Sequence, residues 1–195
     1  GALAISPSVY TKLSFDPSKD LRGVTMLAYS PHMLAVHPSV KANSLKELLA
    51  LAPTEKLSYA SSGIGTTTHL SMERLKMAAK VDIVHVPYQP AAAVNAVVAG
   101  HTQIASTSMP PAVPMIKSGK LKALAVTSPQ RMSLFPDAPT FAELGYKDLT
   151  EIVSIMLFTT PDVPAPIQAK VRDAALKALQ EEGLDQLPLP GSGQT

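Results

Sequence analysis

The sequence has no cysteine and no tryptophan, and only 5% of its 195 residues are aromatic. Without cysteine the chain can form no disulfide, no thiolate nucleophile and no cysteine-ligated zinc site. So few aromatic side chains argue against a surface on which bases or sugars stack. The five histidines are too scattered for a metal-ligand spacing, so neither a metal nor a cofactor is expected.

Charge of either sign is also sparse. Lys and Arg number 17 and Asp and Glu number 15, which gives a net charge of +2, and neither sign gathers in long blocks. The electrostatic signature of a protein that binds nucleic acid or an anionic membrane is therefore missing. No apolar run is long enough to span a bilayer, and residues 1–7 carry no positive segment, so we expect no export signal within this chain.

Apolar residues, in contrast, are abundant. They make up 46% of the chain, which is enough for a sizeable core. From Leu27 onward, short apolar runs alternate with helical patterns, and this predicts an α/β fold with a mostly parallel sheet. Strands are expected over residues 33–36, 57–60, 81–86, 103–106, 121–126 and 152–160.

Cap signals predict where several helices begin and end. Ser44 and Glu47 have the spacing of a capping box, and so do Thr140 and Glu143. Gly145 is expected to end the second of these helices after little more than one turn.

Periodicity predicts the other helices. One is expected to end at Gly100, and one is expected to start after Ser108 and to end at Gly119. Two longer helices, over residues 66–79 and 164–180, show apolar faces. The residues expected to face the core are Leu70, Met72, Leu75 and Met77 in the first, and Ile167, Val171, Ala174, Ala175, Ala178 and Leu179 in the second.

The segment over residues 57–69 joins a short apolar run, two glycines and several hydroxyls just before a predicted helix. Gly63 and Gly65 permit positive φ, and the first N–H groups of a helix are suited to bind an anion. No lysine follows the glycines as in a P-loop, and the third glycine of a dinucleotide fingerprint is missing. The pattern favours a small organic anion such as a carboxylate, although a plain strand-to-helix turn with a capping hydroxyl explains the same residues.

Three predicted strand ends share one chemistry. Residues 61–67, 87–90 and 107–108 supply hydroxyls, an amide and a phenol, but no charged side chain. Ligands of doubly wound sheets bind at the carboxyl ends of the strands, so these segments are expected to converge on a binding site.

Short motifs also occur in a fixed order along nearly the whole chain. They are GALAI at 1–5, PSVY at 7–10, FDP at 15–17, VHP at 36–38, YASSG at 59–63, GT at 65–66, HL at 69–70, VHVPY at 84–88, IKSGKL at 116–121 and LAVTS at 124–128. In this order the motifs resemble those of the periplasmic solute-binding proteins of tripartite tricarboxylate transporters, a family known from Bordetella as the Bug proteins.

The resemblance implies a type II periplasmic-binding fold, in which two α/β lobes with mostly parallel sheets close like a Venus flytrap on a carboxylate-bearing solute. It further implies a periplasmic protein that delivers the solute to the membrane permease of the transporter and is not an enzyme. On this pattern residues 30–155 are the complete second lobe, and residues 1–29 and 156–195 are parts of an incomplete first lobe. Hinge crossings are expected near residues 27–33 and 152–158.

The resemblance places a ligand carboxylate at the glycine turn. The expected contacts are the backbone N–H groups and hydroxyls of Ser62, Gly63, Gly65, Thr66 and Thr67.

Four further residues are candidate ligand contacts, and each also has a structural explanation. His69 could be a structural histidine and Tyr88 a cap on the lobe surface. Ser108 could be an N-cap, and Ser30 could serve the geometry of the hinge. His85, which lies between two valines, is expected to be purely structural.

Two features depart from the family pattern. The first strand and glycine-rich loop that supply the other half of the family's ligand cradle are absent from this sequence. Gln89 and Pro90 stand where the family usually has a basic residue and a glycine, so we expect a cationic contact to be lost.

Catalysis and gene regulation are the alternative functions. The glycine turn is not a Gly-x-Ser-x-Gly elbow, and no carboxylate is obviously placed to orient His69, which disfavours a hydrolase. The effector-binding domain of a LysR-type regulator has the same two-lobed architecture, but residues 1–22 contain no basic recognition helix. The solute stays open among citrate, dicarboxylates, acidic amino acids and aromatic carboxylates, and so does a chain that preserves the lobe without binding.

Overall fold

The computed structural model describes residues 2–9 and 11–181, which fall into two units. One unit runs from Pro31 to Ile152, and the other contains the residues up to Ser30 and those from Val153 onward. Gly1, Tyr10 and residues 182–195, which belong to the predicted first lobe, lie outside the described residues. That the two units are the lobes of a flytrap stays a prediction.

Seven strands and six α-helices are seen in the described part of the chain. The strands are β1 Arg22–Ser30, β2 His32–Val36, β3 Ser58–Ser61, β4 Val84–Pro87, β5 Ile104–Ser108, β6 Lys122–Val126 and β7 Val153–Thr159. The helices are α1 Ala2–Val9, α2 Leu45–Leu51, α3 Thr67–Ala79, α4 Pro90–Val98, α5 Met109–Lys117 and α6 Ala165–Glu181, with a short 3₁₀ helix at Lys147–Leu149.

The unit from Pro31 to Ile152 is built on a five-stranded sheet with the order β4-β3-β5-β2-β6. β3 pairs in parallel with β4 and β5, whereas β2 is antiparallel to both β5 and β6. Four of the five strands, all but β2, therefore run in the same direction, and the sheet is mostly parallel as predicted. Because β3, β4 and β5 run in the same direction, Ser61, Pro87 and Ser108 end them at one edge of the sheet.

Helices cover both faces of this sheet, and the alternation of side chains along β2 shows how. Leu34 and Val36 pack in the cluster that includes residues of α2 and α3. Ala35 packs with residues of α4, and Met33 packs with residues of α5. Strand residues alternate between faces, so a strand covered on both sides reads as a continuous apolar run.

Helix α3 follows its predicted bounds closely, and Met72 and Leu75 are buried as predicted. Its buried residues are Thr68, Ser71, Met72 and Leu75, which recur at intervals of three and four. Met77 is 79% exposed, so the prediction that it faces the core is wrong. It lies two positions beyond Leu75, which is more than half a turn around the helix.

The capping box at Thr140 forms, but it nucleates only a turn. The Thr140 N–H donates to Glu143 Oε2 at 2.7 Å, and the Glu143 N–H donates to Thr140 Oγ1 at 3.1 Å. No helix continues from these bonds, because Gly145 adopts a φ of 92° within the same turn.

The other unit contains a two-stranded antiparallel sheet of β1 and β7, against which α6 packs. Neither α1 nor β1 was indicated by the local sequence pattern, and the sheet differs from the mostly parallel one expected of each lobe. No residue of α6 is buried, so the prediction of a buried apolar face on this helix is wrong. Ile167, for example, is 47% exposed, since a two-stranded sheet covers little of a 17-residue helix.

None of the helices in the described residues is long and apolar enough to cross a bilayer.

We predict that Leu75→Ala destabilises the protein far more than Met77→Ala. Leu75 is 1% exposed and Met77 is 79% exposed on the same helix. Truncation of the buried leucine should lower the free energy of unfolding by about 2–5 kcal/mol. The exposed methionine should change it by about 0.5 kcal/mol or less. Urea denaturation followed by circular dichroism measures both, and equal losses would contradict the described packing of α3.

Candidate functional site

The candidate site is the turn between β3 and α3. β3 ends at Ser61, Thr66 is the N-cap, and α3 starts at Thr67. Gly63 and Gly65 have φ values of 117° and 73°, so the turn uses a conformation that side chains rarely adopt. Glycine is needed at both positions for this reason.

Most backbone donors of the turn are satisfied within the protein. The Ser62 N–H donates to Thr68 Oγ1 at 3.1 Å, and the Gly65 N–H donates to His69 Nδ1 at 3.3 Å. The Gly63 N–H donates to Ser61 Oγ at 3.2 Å. These three N–H groups therefore shape the turn and are not available to a ligand.

Thr66 is the N-cap of α3, in agreement with the alternative explanation of the turn as a strand-to-helix connection with a capping hydroxyl. Its Oγ1 accepts the His69 N–H at 3.4 Å and donates to the Gly63 carbonyl at 2.7 Å. Thr66 Oγ1 also lies 2.9 Å from Thr68 Oγ1, so all of its partners are inside the protein and the hydroxyl fixes the start of α3.

The backbone N–H groups of Ile64, Thr67 and Thr68 have no acceptor among the described residues. Thr67 and Thr68 are the first two positions of a 13-residue helix whose first turn carries no acidic residue. The positive end of the helix dipole is therefore left without a negative side chain in that turn. This combination is suited to an anion.

The other two predicted strand ends meet the same edge of the sheet. The Tyr88 N–H donates to the Ser61 carbonyl at 3.1 Å. The half-buried Tyr88 side chain packs against the apolar cluster that contains Ala93, Val94 and Val97 of α4. Ser108 stands opposite His32 in the β2–β5 pairing. It occupies the N-cap position of α5 without a side-chain capping bond, so capping does not use its hydroxyl.

Ser30 and the Gln89–Pro90 pair complete the predicted residues. Ser30 ends β1 and belongs to the other unit, whereas the glycine turn belongs to the unit from Pro31 to Ile152. Gln89 is the N-cap of α4 and makes no side-chain capping bond, and α4 begins at Pro90.

His69 takes part in a column of stacked rings. Its ring centroid lies 4.2 Å from that of His85, which in turn lies 4.7 Å from that of Tyr59. His85 Nε2 lies 2.7 Å from Ser61 Oγ, so His85 supports the turn. Burial, and then the neighbouring His69, lower the pKa of His85, which keeps this ring neutral at neutral pH.

A buried histidine beneath the turn was missed by the sequence reasoning. His32 is 4% exposed, its Nε2 lies 3.2 Å from Thr67 Oγ1, and its Nδ1 lies 3.2 Å from Glu151 Oε1. Ser71 also donates to Glu151 Oε1, and an Arg74 nitrogen lies 4.0 Å from Glu151 Oε2. No local motif could have joined His32 to Glu151, because 119 residues separate them.

The environment of Glu151 favours its ionised form. Burial acts to raise the pKa of this carboxyl group, but hydrogen bonds from His32 and Ser71 and the nearby Arg74 outweigh that effect. The net result is a pKa below the ordinary value. In the described residues, no group of three or more His, Asp or Glu side chains could hold a metal ion.

Solved structures with the same fold are periplasmic binding proteins. A structure described as a periplasmic transporter aligns with a TM-score of 0.88 and 35% identity over 94% of this chain and 64% of its own. The structure of Rpa4515 of R. palustris with adipate aligns with a TM-score of 0.83 and 26% identity over 90% of this chain and 60% of its own. The structure of MatC from Rhodopseudomonas palustris with bound malate aligns with a TM-score of 0.82 and 28% identity over 94% of this chain and 62% of its own. The fold is the type II periplasmic-binding fold.

Curated sequences agree with this similarity. A UPF0065 protein of Bordetella pertussis is 33% identical over 177 residues, which are 89% of this chain and 54% of that protein. The chain thus spans about half the length of the curated relatives it matches. A match to the family described as "Tripartite tricarboxylate transporter family receptor" covers residues 1–187. The chain belongs to this family of receptors, whose members include periplasmic solute-binding proteins.

Proposed function

We propose that this chain is a periplasmic receptor that captures a small carboxylate-bearing solute at the start of α3. The observation that carries the proposal is the pair of unbonded N–H groups at Thr67 and Thr68, on a helix end with no acidic residue in its first turn. Relatives with the same fold were solved with adipate and with malate, which are both dicarboxylates. The chain would deliver its solute to the permease of a tripartite tricarboxylate-type transporter, as the name of its family suggests.

The chemistry of the turn matches a carboxylate group. A carboxylate only accepts hydrogen bonds, and the helix end offers N–H donors together with the positive dipole. Residues 61–67, 87–90 and 107–108 bring no charged side chain, so recognition here rests on hydrogen bonds instead of an ion pair. Such a cradle would accept many acids, and the rest of the solute would decide the selectivity.

Magnitudes favour a solute with a second anchoring group. A helix end contributes about 0.3–2 kcal/mol and each hydrogen bond to a charged group about 1.5–3 kcal/mol. Micromolar affinity needs about 8 kcal/mol after the loss of translational and rotational freedom, which opposes binding by about 4 kcal/mol or more. With the donors available at Thr67 and Thr68, one carboxylate at this turn falls short of that value, which supports a dicarboxylate or another two-ended acid.

The alternative of a LysR-type effector domain finds no support of its own. The family match covers residues 1–187 and is to a receptor family. We therefore assign the chain to solute capture and not to gene regulation or catalysis.

We predict that malate or adipate raises the melting temperature of this chain and that the rise depends on the Thr67 donors. At 100 times the Kd, a ligand of the native state adds about 2.7 kcal/mol of stability, which is roughly 5–10 °C for a chain of this size. Thr67→Ser keeps both donors and should keep the shift. Thr67→Ala removes the hydroxyl and should reduce it, and Thr67→Pro also removes the N–H and should reduce it most.

The proline variant is a clean test because the position tolerates it. Proline is accepted at the first helical residue, and Thr66 has φ −82° and ψ 162°, which suits a residue before proline. Ala165→Pro, at the first position of α6, is the matched control and should leave the ligand-induced shift unchanged. A full shift in Thr67→Pro, or no shift with any acid in the unaltered chain, would overturn the proposal.

A further inference from the structure

The buried His32 side chain sits between the Thr67 hydroxyl and the Glu151 carboxylate. Its two ring nitrogens each lie 3.2 Å from one of these groups. Thr67 is also the first residue of α3, so one hydrogen-bonded chain links the candidate ligand site to Glu151 through the buried His32.

The partners of His32 determine where its proton lies. An ionised Glu151 carboxylate can only accept, so a neutral His32 imidazole in this position would carry its hydrogen on Nδ1. His32 Nε2 is then an acceptor, and the Thr67 hydroxyl must donate to it. In this state the hydroxyl turns its hydrogen inward and offers only lone pairs to a ligand.

A bound carboxylate requires the opposite arrangement. It has no hydrogen to give, so the Thr67 hydroxyl can bind it only by donating outward. The Thr67 oxygen would then face the bare Nε2 of a neutral His32, with two acceptors opposed. Protonation of Nε2 by a proton from solvent removes the conflict, because the imidazolium donates to the Thr67 oxygen.

We propose that His32 is a positioning residue that couples carboxylate binding at Thr67 to the uptake of one proton. The inference rests on the proposed function, because it assumes that the carboxylate contacts the Thr67 hydroxyl.

The surroundings of His32 are suited to a buried cation. Glu151 supplies the balancing negative charge, without which a charged ring with 4% exposure would be unfavourable. A nitrogen of Arg74 on α3 lies 4.0 Å from the other oxygen of that carboxylate, Oε2, so Arg74 is a second charged group beside Glu151.

The remaining neighbours of His32 are neutral. Ser71 on α3, Ser108 opposite in β5, and Thr127 after β6 bring hydroxyls only, and the His32 N–H donates to Thr127 Oγ1 at 2.8 Å. His69 on α3 and His85 on β4 are further histidines beside the turn, so the test must separate them from His32.

Isothermal titration calorimetry of this chain with malate and with adipate measures the coupling. The apparent enthalpy, compared between buffers of different ionisation enthalpy, gives the number of protons taken up, and we expect a value near one at about pH 8. By linkage, the affinity should rise by up to about tenfold for each pH unit as pH falls from there toward the range where histidine titrates.

His32→Gln should abolish the proton uptake and flatten the pH profile, because the glutamine amide donates to Thr67 without titrating. His101→Gln removes an exposed histidine and should leave both quantities as in the unaltered chain. His69→Gln should still show proton uptake. No proton uptake in the unaltered chain, uptake that persists in His32→Gln, or uptake that is lost only in His69→Gln, would overturn the inference.

Two further readouts keep the test decisive. Binding without proton uptake contradicts this inference alone, whereas no binding of either acid at any pH contradicts the proposed function. If His32→Gln does not fold, the NMR titration of the histidine ring protons in the unaltered chain decides. His32 should become protonated at a higher pH with malate present, and an unchanged titration would contradict the coupling.

Discussion

The candidate site depends on the parallel pairing of β3 with both β4 and β5. Parallel strands bring their carboxyl ends to one edge, so this pairing brings Ser61, Pro87 and Ser108 together although they are far apart in sequence. It also fixes the start of α3 at that edge, because only a short turn separates β3 from the helix. A different strand order would leave the glycine turn as an ordinary surface connection.

Most hydrogen-bond donors of the turn are already bonded within the protein. The N–H groups of Ser62, Gly63 and Gly65 all donate to acceptors within the protein. The acceptor of the last one is the His69 ring, which stacks on His85. A site that is shaped before a ligand arrives loses less freedom on binding. The donors at Thr67 and Thr68 are left over because the first residues of any helix lack acceptors within it.

Local sequence signals predicted the elements of the sheet and the glycine turn, because caps, glycines and short apolar runs act over a few residues. Features that depend on a partner far away in the sequence could not be predicted. The pairing of His32 with Glu151 spans 119 residues, and β1 becomes a strand by pairing with β7 from the other end of the chain. The burial of Met77 and of α6 was wrongly predicted for the same reason, because apolar periodicity identifies one side of a helix but not the element that packs against it.

Backbone NMR of the chain titrated with malate would show whether the first N–H groups of α3 hold a carboxylate. We expect the amide resonances of Ile64, Thr67 and Thr68 to shift most and to saturate together, while those of α6 stay in place. The diamide of malate, which lacks both carboxylates, should shift none of them. Saturating shifts elsewhere in the chain with Thr67 and Thr68 unmoved, or equal shifts with the diamide, would contradict the account.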